Sequence, residues 1–167
     1  MRLATIAALT LAVAGCSGPE DCHDAAGVVA MTYPSSQFTT EEAAVFDKAA
    51  AKWNAFANRA VVRFEAAERT GVCTVTKSSD YGVGREHLAR DGSLNGVIEI
   101  GAIYDCNNAN IPGVLCFESI LLHETGHAIG LGHVPDTESE SVMFHRTTTT
   151  NFSPADHAEC VAKHVCE

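Results

Sequence analysis

The sequence predicts an α+β domain, and three observations indicate this class. An amphipathic helix with a capping signal lies early in the chain, stretches rich in β-branched residues follow it, and two further helical segments complete the sequence. The chain has 167 residues, which is enough for one domain with a substantial core. Its net charge of −10 argues against nucleic acid or an anionic membrane surface as a partner.

The first predicted helix begins after Thr39 and extends to about Asn58. Thr39 is followed three residues later by Glu42, and such a pair forms a capping box that satisfies free N–H groups at the start of a helix. Apolar side chains recur at helical spacing and define the side that faces the core, namely Phe46, Ala49, Ala50, Trp53, Phe56 and Ala57.

Strands are predicted after this helix, where β-branched residues and alternation of apolar and polar side chains dominate. The segments are residues 60–66, 71–77 and 97–100, with a weaker candidate at residues 85–90 before the Asp91-Gly92 turn.

Two helices follow the strands. The first covers about residues 117–129. The second begins after Ser153, which is a favourable cap, with Pro154 in its first turn and Asp156 completing the capping signal.

Residues 123–133 read His-Glu-Thr-Gly-His-Ala-Ile-Gly-Leu-Gly-His and predict a metal site. Histidines four apart on a helix lie on one face, so His123 and His127 can both bind one Zn²⁺. Gly130 ends the helix by allowing a left-handed turn, and the redirected chain can supply His133 as the third ligand. Three protein ligands leave a fourth position for water and substrate, which is typical of a catalytic zinc site.

Glu124 stands beside the predicted metal, where a carboxylate can take a proton from a zinc-bound water. A zinc hydrolase is therefore predicted. Two alternatives to a zinc hydrolase of peptide bonds stay open. One is a non-catalytic surface-binding lipoprotein that zinc stabilises, and the other is a zinc hydrolase that acts on a non-protein amide. Glu124 separates the first of these from an enzyme, because a pure scaffold has no use for an acid facing the metal.

The zinc segment, followed by a Met-containing turn at residues 141–144, resembles the metzincin clan of zinc endopeptidases. Met143 stands ten residues after His133. Within the clan, the chain is most similar to the single-domain matrixins of bacteria. Asp136 and residues 152–156 add to that likeness.

This resemblance implies a twisted mixed β-sheet packed on two long helices, with a small C-terminal subdomain that contains the Met-turn and the final helix. It implies a monomeric zinc endopeptidase with one catalytic Zn²⁺ on the three histidines and a protein or peptide substrate. Glu124 is then the general base and acid, and Met143 forms an apolar floor beneath the histidines without binding the metal. An extended peptide lies along the edge strand, at residues 85–90.

Two positions depart from the family pattern. Val134 follows the third histidine, where matrixins usually carry Ser. His145 stands two residues after Met143, where astacin-like relatives have a Tyr close to zinc. It either approaches the metal or a developing oxyanion, or it is a surface histidine in a turn.

The first residues of the sequence predict a targeting signal. Residues 1–15 read as a signal peptide whose end resembles a bacterial lipobox, so cleavage would leave Cys16 as the lipidated residue. A conventional signal peptide is the alternative. Residues 16–37 are predicted to be a tether and residues 38–167 the metallopeptidase domain. The protein is then exported to the bacterial cell envelope, lipid-anchored on the periplasmic face or the cell surface, or secreted.

Apart from Cys16, six cysteines remain, and an even number in an exported chain indicates disulfides. Proximity in sequence favours two local pairs and leaves one long-range pair: Cys106–Cys116, Cys160–Cys166 and Cys22–Cys73.

An oxygen-rich loop precedes the zinc segment, formed by Asp105, Asn107, Asn108 and Asn110. These side chains could hold Ca²⁺, but their spacing fits no EF-hand loop, so an ordinary polar loop is favoured.

Overall fold

A computed structural model describes residues 22–68, 73–81, 85–88, 94–103, 113–145 and 149–167. Its elements in chain order are β1 (Val29–Tyr33), a short 3-10 helix (Ser35–Gln37), α1 (Thr40–Ala57), β2 (Val62–Ala66), β3 (Thr74–Tyr81), β4 (Arg85–Leu88), β5 (Leu94–Ile103), α2 (Gly113–Ala128) and α3 (Pro154–Ala162).

The five strands form one mixed sheet in the order β2-β1-β3-β5-β4. The first four run parallel to one another, and β4 pairs with β5 in the antiparallel direction at one edge. Both α1 and α2 contact strands of the sheet and each other. The predicted α+β class, with a mixed sheet on two long helices and a final helix, is confirmed.

The prediction that residues 16–37 form a tether is wrong for most of residues 22–37, the part of this segment that the structure describes. Val29–Tyr33 is a strand between β2 and β3, inside the sheet. Its side chains are almost all buried, with Val29 and Met31 each about 1% exposed. A tether could not bury these groups, so the folded domain begins well before residue 38.

The other predicted elements form, with shifted ends. β3 begins at Thr74, three residues after the predicted start, and β5 extends beyond both ends of residues 97–100. α2 begins at Gly113, four residues earlier than predicted. Such shifts are normal for ends set by tertiary contacts, which sequence periodicity does not report.

The capping box at the start of α1 is present. The amide of Glu42 donates to Thr39 Oγ1 (3.2 Å), and the amide of Thr39 donates to Glu42 Oε2 (2.8 Å). The predicted core side also faces the core: four of its six residues are fully buried and two partly. They are Phe46, Ala49, Trp53 and Ala57, with Ala50 and Phe56 at the margin.

Trp53 joins the two long helices. It is fully buried, and its indole N–H donates to the carbonyl of Leu122 in α2 (3.0 Å). Its ring also packs edge-on against Phe56 and at a tilt against Phe152, just before α3. One side chain thereby fixes the spacing of α1, α2 and the C-terminal segment.

A buried carboxylate makes the second link between these helices. Glu118 of α2 is about 1% exposed and pairs with Lys48 (2.5 Å) and Lys52 (2.7 Å) of α1. Burial raises the pKa of Glu118, but the two ammonium groups outweigh it and hold that pKa below its usual value. Lys52 also donates to the carbonyl of Thr150 (2.8 Å), which ties the segment before α3 to the same cluster.

Two of the three predicted disulfides are confirmed. Cys22 and Cys73 are joined with a Cα–Cα distance of 5.4 Å, and Cys160 and Cys166 with 5.2 Å. The first bond ties the segment before β1 to the start of β3. The second closes the turn that ends α3.

Other predictions fall outside the described residues. Cys116 is disulfide-bonded, but Cys106, its predicted partner, is not described, and that pairing stays a prediction. The signal peptide at residues 1–15, the lipidated Cys16 and the calcium candidates Asp105, Asn107, Asn108 and Asn110 are likewise not described. Within the described ranges, no helix is long and apolar enough to cross a membrane.

Candidate metal centre

The end of α2 is built to turn the chain back toward its own histidines. The amide of Leu131 donates to the carbonyl of Gly126 and that of Gly130 to the carbonyl of His127, both at 2.9 Å. This pair of bonds is a Schellman motif, and its pivot is Gly130 with φ of 100°, a region that disfavours a β-carbon. The turn aims the following residues at the face that carries His123 and His127.

Two backbone bonds position the third histidine. On one side of His133, the amide of Gly132 donates to Oε1 of Glu159 in α3 (2.9 Å). On the other side, the amide of Val134 donates to the carbonyl of Met143 (3.1 Å). The segment is therefore held from both the final helix and the Met-turn.

The three histidines meet through their Nε2 atoms. The Nε2 of His127 is 3.1 Å from that of His123 and 3.1 Å from that of His133, and the third side of the triangle is 3.2 Å. No other group of three or more His, Cys, Asp or Glu side chains is close enough to hold a metal in the part of the chain that is described.

These distances fit Zn²⁺. Tetrahedral zinc with Zn–N bonds of about 2.0–2.1 Å separates its ligand nitrogens by about 3.3 Å. The observed triangle is within a few tenths of an ångström of that value. Three protein ligands leave the fourth position of tetrahedral zinc for water or substrate, as a catalytic site requires.

Hydrogen bonds fix how the imidazoles present their nitrogens. Nδ1 of His123 donates to the carbonyl of Val142 (2.7 Å), and Nδ1 of His127 donates to the carbonyl of Leu131 (2.9 Å). In the neutral ring the other nitrogen then carries a lone pair, so these two Nε2 atoms face each other as acceptors. Lone pairs 3.1 Å apart repel, and a shared cation removes the repulsion.

The surroundings keep the imidazoles neutral. Burial lowers the pKa of His123 to about 4, against the opposing effect of its bond to Val142. Burial likewise lowers the pKa of His127 and of His133, the latter with help from the nearby His145. Neutral imidazole is the metal-binding form, so the site is prepared for a cation at neutral pH.

The carboxylate of Asp156 shapes the turn beside the site. It accepts hydrogen bonds from the amides of Val142 (3.0 Å), Met143 (2.8 Å) and Ser153 (2.7 Å), and from the hydroxyl of Ser141. Asp156 is fully buried. The sequence predicted it only as a helix cap; its hold on the Met-turn comes from residues more than ten positions away, which no local signal reports.

Asp156 and the first histidine are thereby connected through one residue. Val142 donates its N–H to Asp156 and accepts the Nδ1–H of His123 on its carbonyl. Such outer partners orient a metal-binding imidazole and select its tautomer.

Met143 packs against the helix that carries the histidines. It is fully buried, and a β-carbon added to Gly126 would lie 2.2 Å from its sulfur. Gly126 immediately precedes His127, so Met143 lies directly behind the histidine-bearing turn of α2. The same β-carbon would also lie 3.0 Å from Cζ2 of Trp53.

The remaining predicted residues are close to this centre. Glu124 is buried, about 5% exposed, and follows His123 in α2. Val134 is buried beside the third histidine. His145 lies near His133, with a centroid separation of 6.3 Å, and is paired with Asp136. Sequence reasoning missed Glu159, whose only signal was a charge near the end of α3.

Comparison with known proteins agrees with this geometry. A family model described as Matrixin, of peptidase family M10, matches residues 11–159. A search of curated proteins finds no significant match. Similar solved structures include high choriolytic enzyme 1, a hatching enzyme zinc-protease from the medaka fish Oryzias latipes. It is 17% identical, with 87% of this chain and 94% of that chain covered and a TM-score of 0.50, a likeness that concerns the fold.

Replacement of Gly126 by Ala tests the position of Met143. The new β-carbon has no room against Met143 and Trp53, so we expect the free energy of unfolding to fall by about 1–3 kcal/mol. Chemical denaturation of Gly126→Ala, Met143→Ala and the double variant checks the origin of the loss. The double variant should lose less than the sum of the two single losses, because Met143→Ala makes room. Additive losses would contradict the contact.

Replacement of Asp156 by Asn tests the hold on the Met-turn. An amide cannot accept on both of its atoms, so at least one of the bonded N–H groups loses its partner. We expect a loss of about 2–4 kcal/mol in unfolding free energy and zinc binding weakened about 10–100-fold. Glu140→Gln, an exposed acid in the same segment, is the matched control and should change neither. An Asp156→Asn variant that binds zinc like the parent would contradict the connection through Val142.

Proposed function

The chain belongs to the matrixin family and is a zinc metalloendopeptidase, and from this premise we propose that His123, His127 and His133 hold its catalytic zinc while Glu124 is the general base. The observation that carries the assignment is the triangle of Nε2 atoms at 3.1–3.2 Å. In two of the three rings, those of His123 and His127, Nδ1 donates a hydrogen bond to a backbone carbonyl. The Nε2 atoms of these two rings are acceptors, and a single N–H on His133 cannot satisfy both, whereas one metal ion can accept a lone pair from all three nitrogens.

Glu124 is proposed to transfer the proton during hydrolysis. Zinc bound to the three histidines would lower the pKa of a water to about 7 and polarise the scissile carbonyl. Glu124 is buried and adjacent in sequence to a ligand, a position from which a carboxylate accepts the proton of the attacking water and passes it to the leaving amine.

The substrate is proposed to be an extended peptide that aligns with β4. This strand pairs with β5 on one side and is the edge of the described sheet. The backbone N–H and C=O groups on the outer side of an edge strand can pair with an added strand, and such pairing is tolerant of side-chain identity. A monomer with one zinc is sufficient for this activity.

Export is proposed with a lipid anchor at Cys16. The disulfides Cys22–Cys73 and Cys160–Cys166 fit an oxidising compartment. With residues 1–15 removed as a signal peptide, a lipid on Cys16 would hold the domain at the bacterial cell envelope, on the periplasmic face or the cell surface. The short segment before Cys22 would then be the whole of the tether.

Replacement of Glu124 by Gln separates chemistry from metal binding. The amide keeps the shape of the side chain but cannot take a proton, so we expect zinc content near that of the parent and peptide hydrolysis lowered by about 10²–10⁴-fold. Metal analysis and turnover of a mixed peptide library, with and without a chelator, are the measurements. His133→Ala should instead lose zinc.

Glu138→Gln, at an exposed acid outside the site, is the control for this series. Near-normal hydrolysis by Glu124→Gln would mean that another group is the base. Folded parent protein without zinc would overturn the proposed centre as a whole.

Replacement of Cys16 by Ser tests the anchor. In a bacterial host with lipoprotein processing, the parent protein should fractionate with membranes and gain the mass of a lipid at residue 16. The variant should be free of lipid. Parent protein cleaved at another residue, with no lipid, would instead support a conventional signal peptide.

A further inference from the structure

The three clustered histidines are not held in the same way. Nδ1 of His123 donates to a backbone carbonyl, and so does Nδ1 of His127. For His133 the hydrogen-bond contacts are those of Nε2 with the other two rings, and its Nδ1 has no partner among the residues that the structure describes. His133 is also the exposed member of the cluster, whereas His123 is buried. A bond at Nδ1 fixes the tautomer and orientation of a metal-binding imidazole, and the third ring is without that restraint.

The main chain holds His133 instead. The amide before it, that of Gly132, donates to Oε1 of Glu159 (2.9 Å), and the amide after it, that of Val134, donates to the carbonyl of Met143 (3.1 Å). With the backbone fixed on both sides, the imidazole can move only by rotation about its own two side-chain bonds. The bond to Met143 joins two backbone groups, so Glu159 is the side chain that aims the third ligand.

Glu159 fits closely against Gly132. A β-carbon added to Gly132 would lie 3.2 Å from Oε1 of Glu159, so the carboxylate reaches the amide because residue 132 has no side chain. A hydrogen bond to a charged acceptor is of the stronger kind. The cation beside this carboxylate, Lys163, is 3.9 Å away and half exposed, so it adds little.

The end of α3 gives this carboxylate a fixed support. Cys160, the residue after Glu159, is joined to Cys166 by a disulfide and is fully buried. Arg59, which follows α1, donates to the carbonyls of Val165 and His164 and so holds the C-terminal segment in place. Glu159 therefore projects from a part of the chain that is anchored independently of the histidines.

We propose that Glu159 is a positioning residue that sets how strongly His133 binds the metal. It does through the main chain what the carbonyls of Val142 and Leu131 do through the rings of the other two ligands. The inference rests on the proposed zinc centre and deepens it. Without the bond to Gly132, the third imidazole turns away from the metal while the other two stay in place.

Zinc affinity and coordination in the full chain test this role. Chelator competition should show a dissociation constant for zinc raised about 10–100-fold in Glu159→Ala. X-ray absorption should show three imidazoles on zinc in the parent and fewer in Glu159→Ala. Glu159→Gln keeps an oxygen that accepts from the Gly132 amide, so its zinc affinity should lie much closer to that of the parent. Lys163→Gln, which removes the neighbouring charge, is the control and should match the parent.

Gly132→Ala disturbs the same bond from the other side. Its β-carbon forces the carboxylate to retreat by a few tenths of an ångström, so zinc binding should weaken in the parent background. In the Glu159→Ala background the same change should have little further effect, because the bond is already gone. This variant also tests the inference if Glu159→Ala does not fold.

The outcomes separate this inference from the proposed function. A zinc-loaded, active parent whose affinity for zinc is unchanged in Glu159→Ala would overturn the role of Glu159 and leave the proposed function intact. Equal weakening in Glu159→Ala and Glu159→Gln would mean that the negative charge attracts the metal, and it would also contradict positioning through the bond. Folded parent that binds no zinc would overturn the proposed centre itself.

Discussion

The buried carboxylate of Asp156 is the interaction on which the rest of the centre depends. It receives two consecutive amides of the Met-turn and the amide of Ser153, so one charged group organises a turn and the start of α3 at once. Hydrogen bonds to a charged acceptor are the stronger kind, and burial removes competition from water. Within this turn, the carbonyl of Val142 accepts a hydrogen bond from His123, and the carbonyl of Met143 accepts one from the amide of Val134.

The C-terminal segment and α1 support this arrangement from outside. Cys160–Cys166 closes the end of α3, and Arg59 donates to the carbonyls of Val165 (2.9 Å) and His164 (3.1 Å). Because α3 also carries Glu159, which holds the amide beside His133, the C-terminal segment is part of the metal centre. Trp53 and the Glu118 cluster fix α1 against α2, so α1 holds the histidine-bearing helix at two points.

Local signals in the sequence were sufficient for the parts that depend on local physics. The capping boxes at Thr39 and Ser153, the glycine that ends α2 and the histidine spacing all act within a few residues, and each is present in the structure. The composition of residues 16–37 predicts a tether because Gly, Pro and acids surround β1, although Val29–Tyr33 itself has the apolar and β-branched composition of a buried strand. The roles of Asp156 and Glu159 at the centre depend on contacts between distant segments, which periodicity and spacing cannot supply.

The fold is expected to hold the three Nε2 atoms in place for zinc before the metal binds. Crystal structures of the same protein without metal and with zinc test it most directly. We predict that the Nε2 triangle, the two Nδ1 bonds and the Met-turn agree between the two within about 0.5 Å, as preorganised sites do. A metal-free crystal in which the histidines have separated and the Val142 carbonyl has lost its bond to His123 would contradict the account.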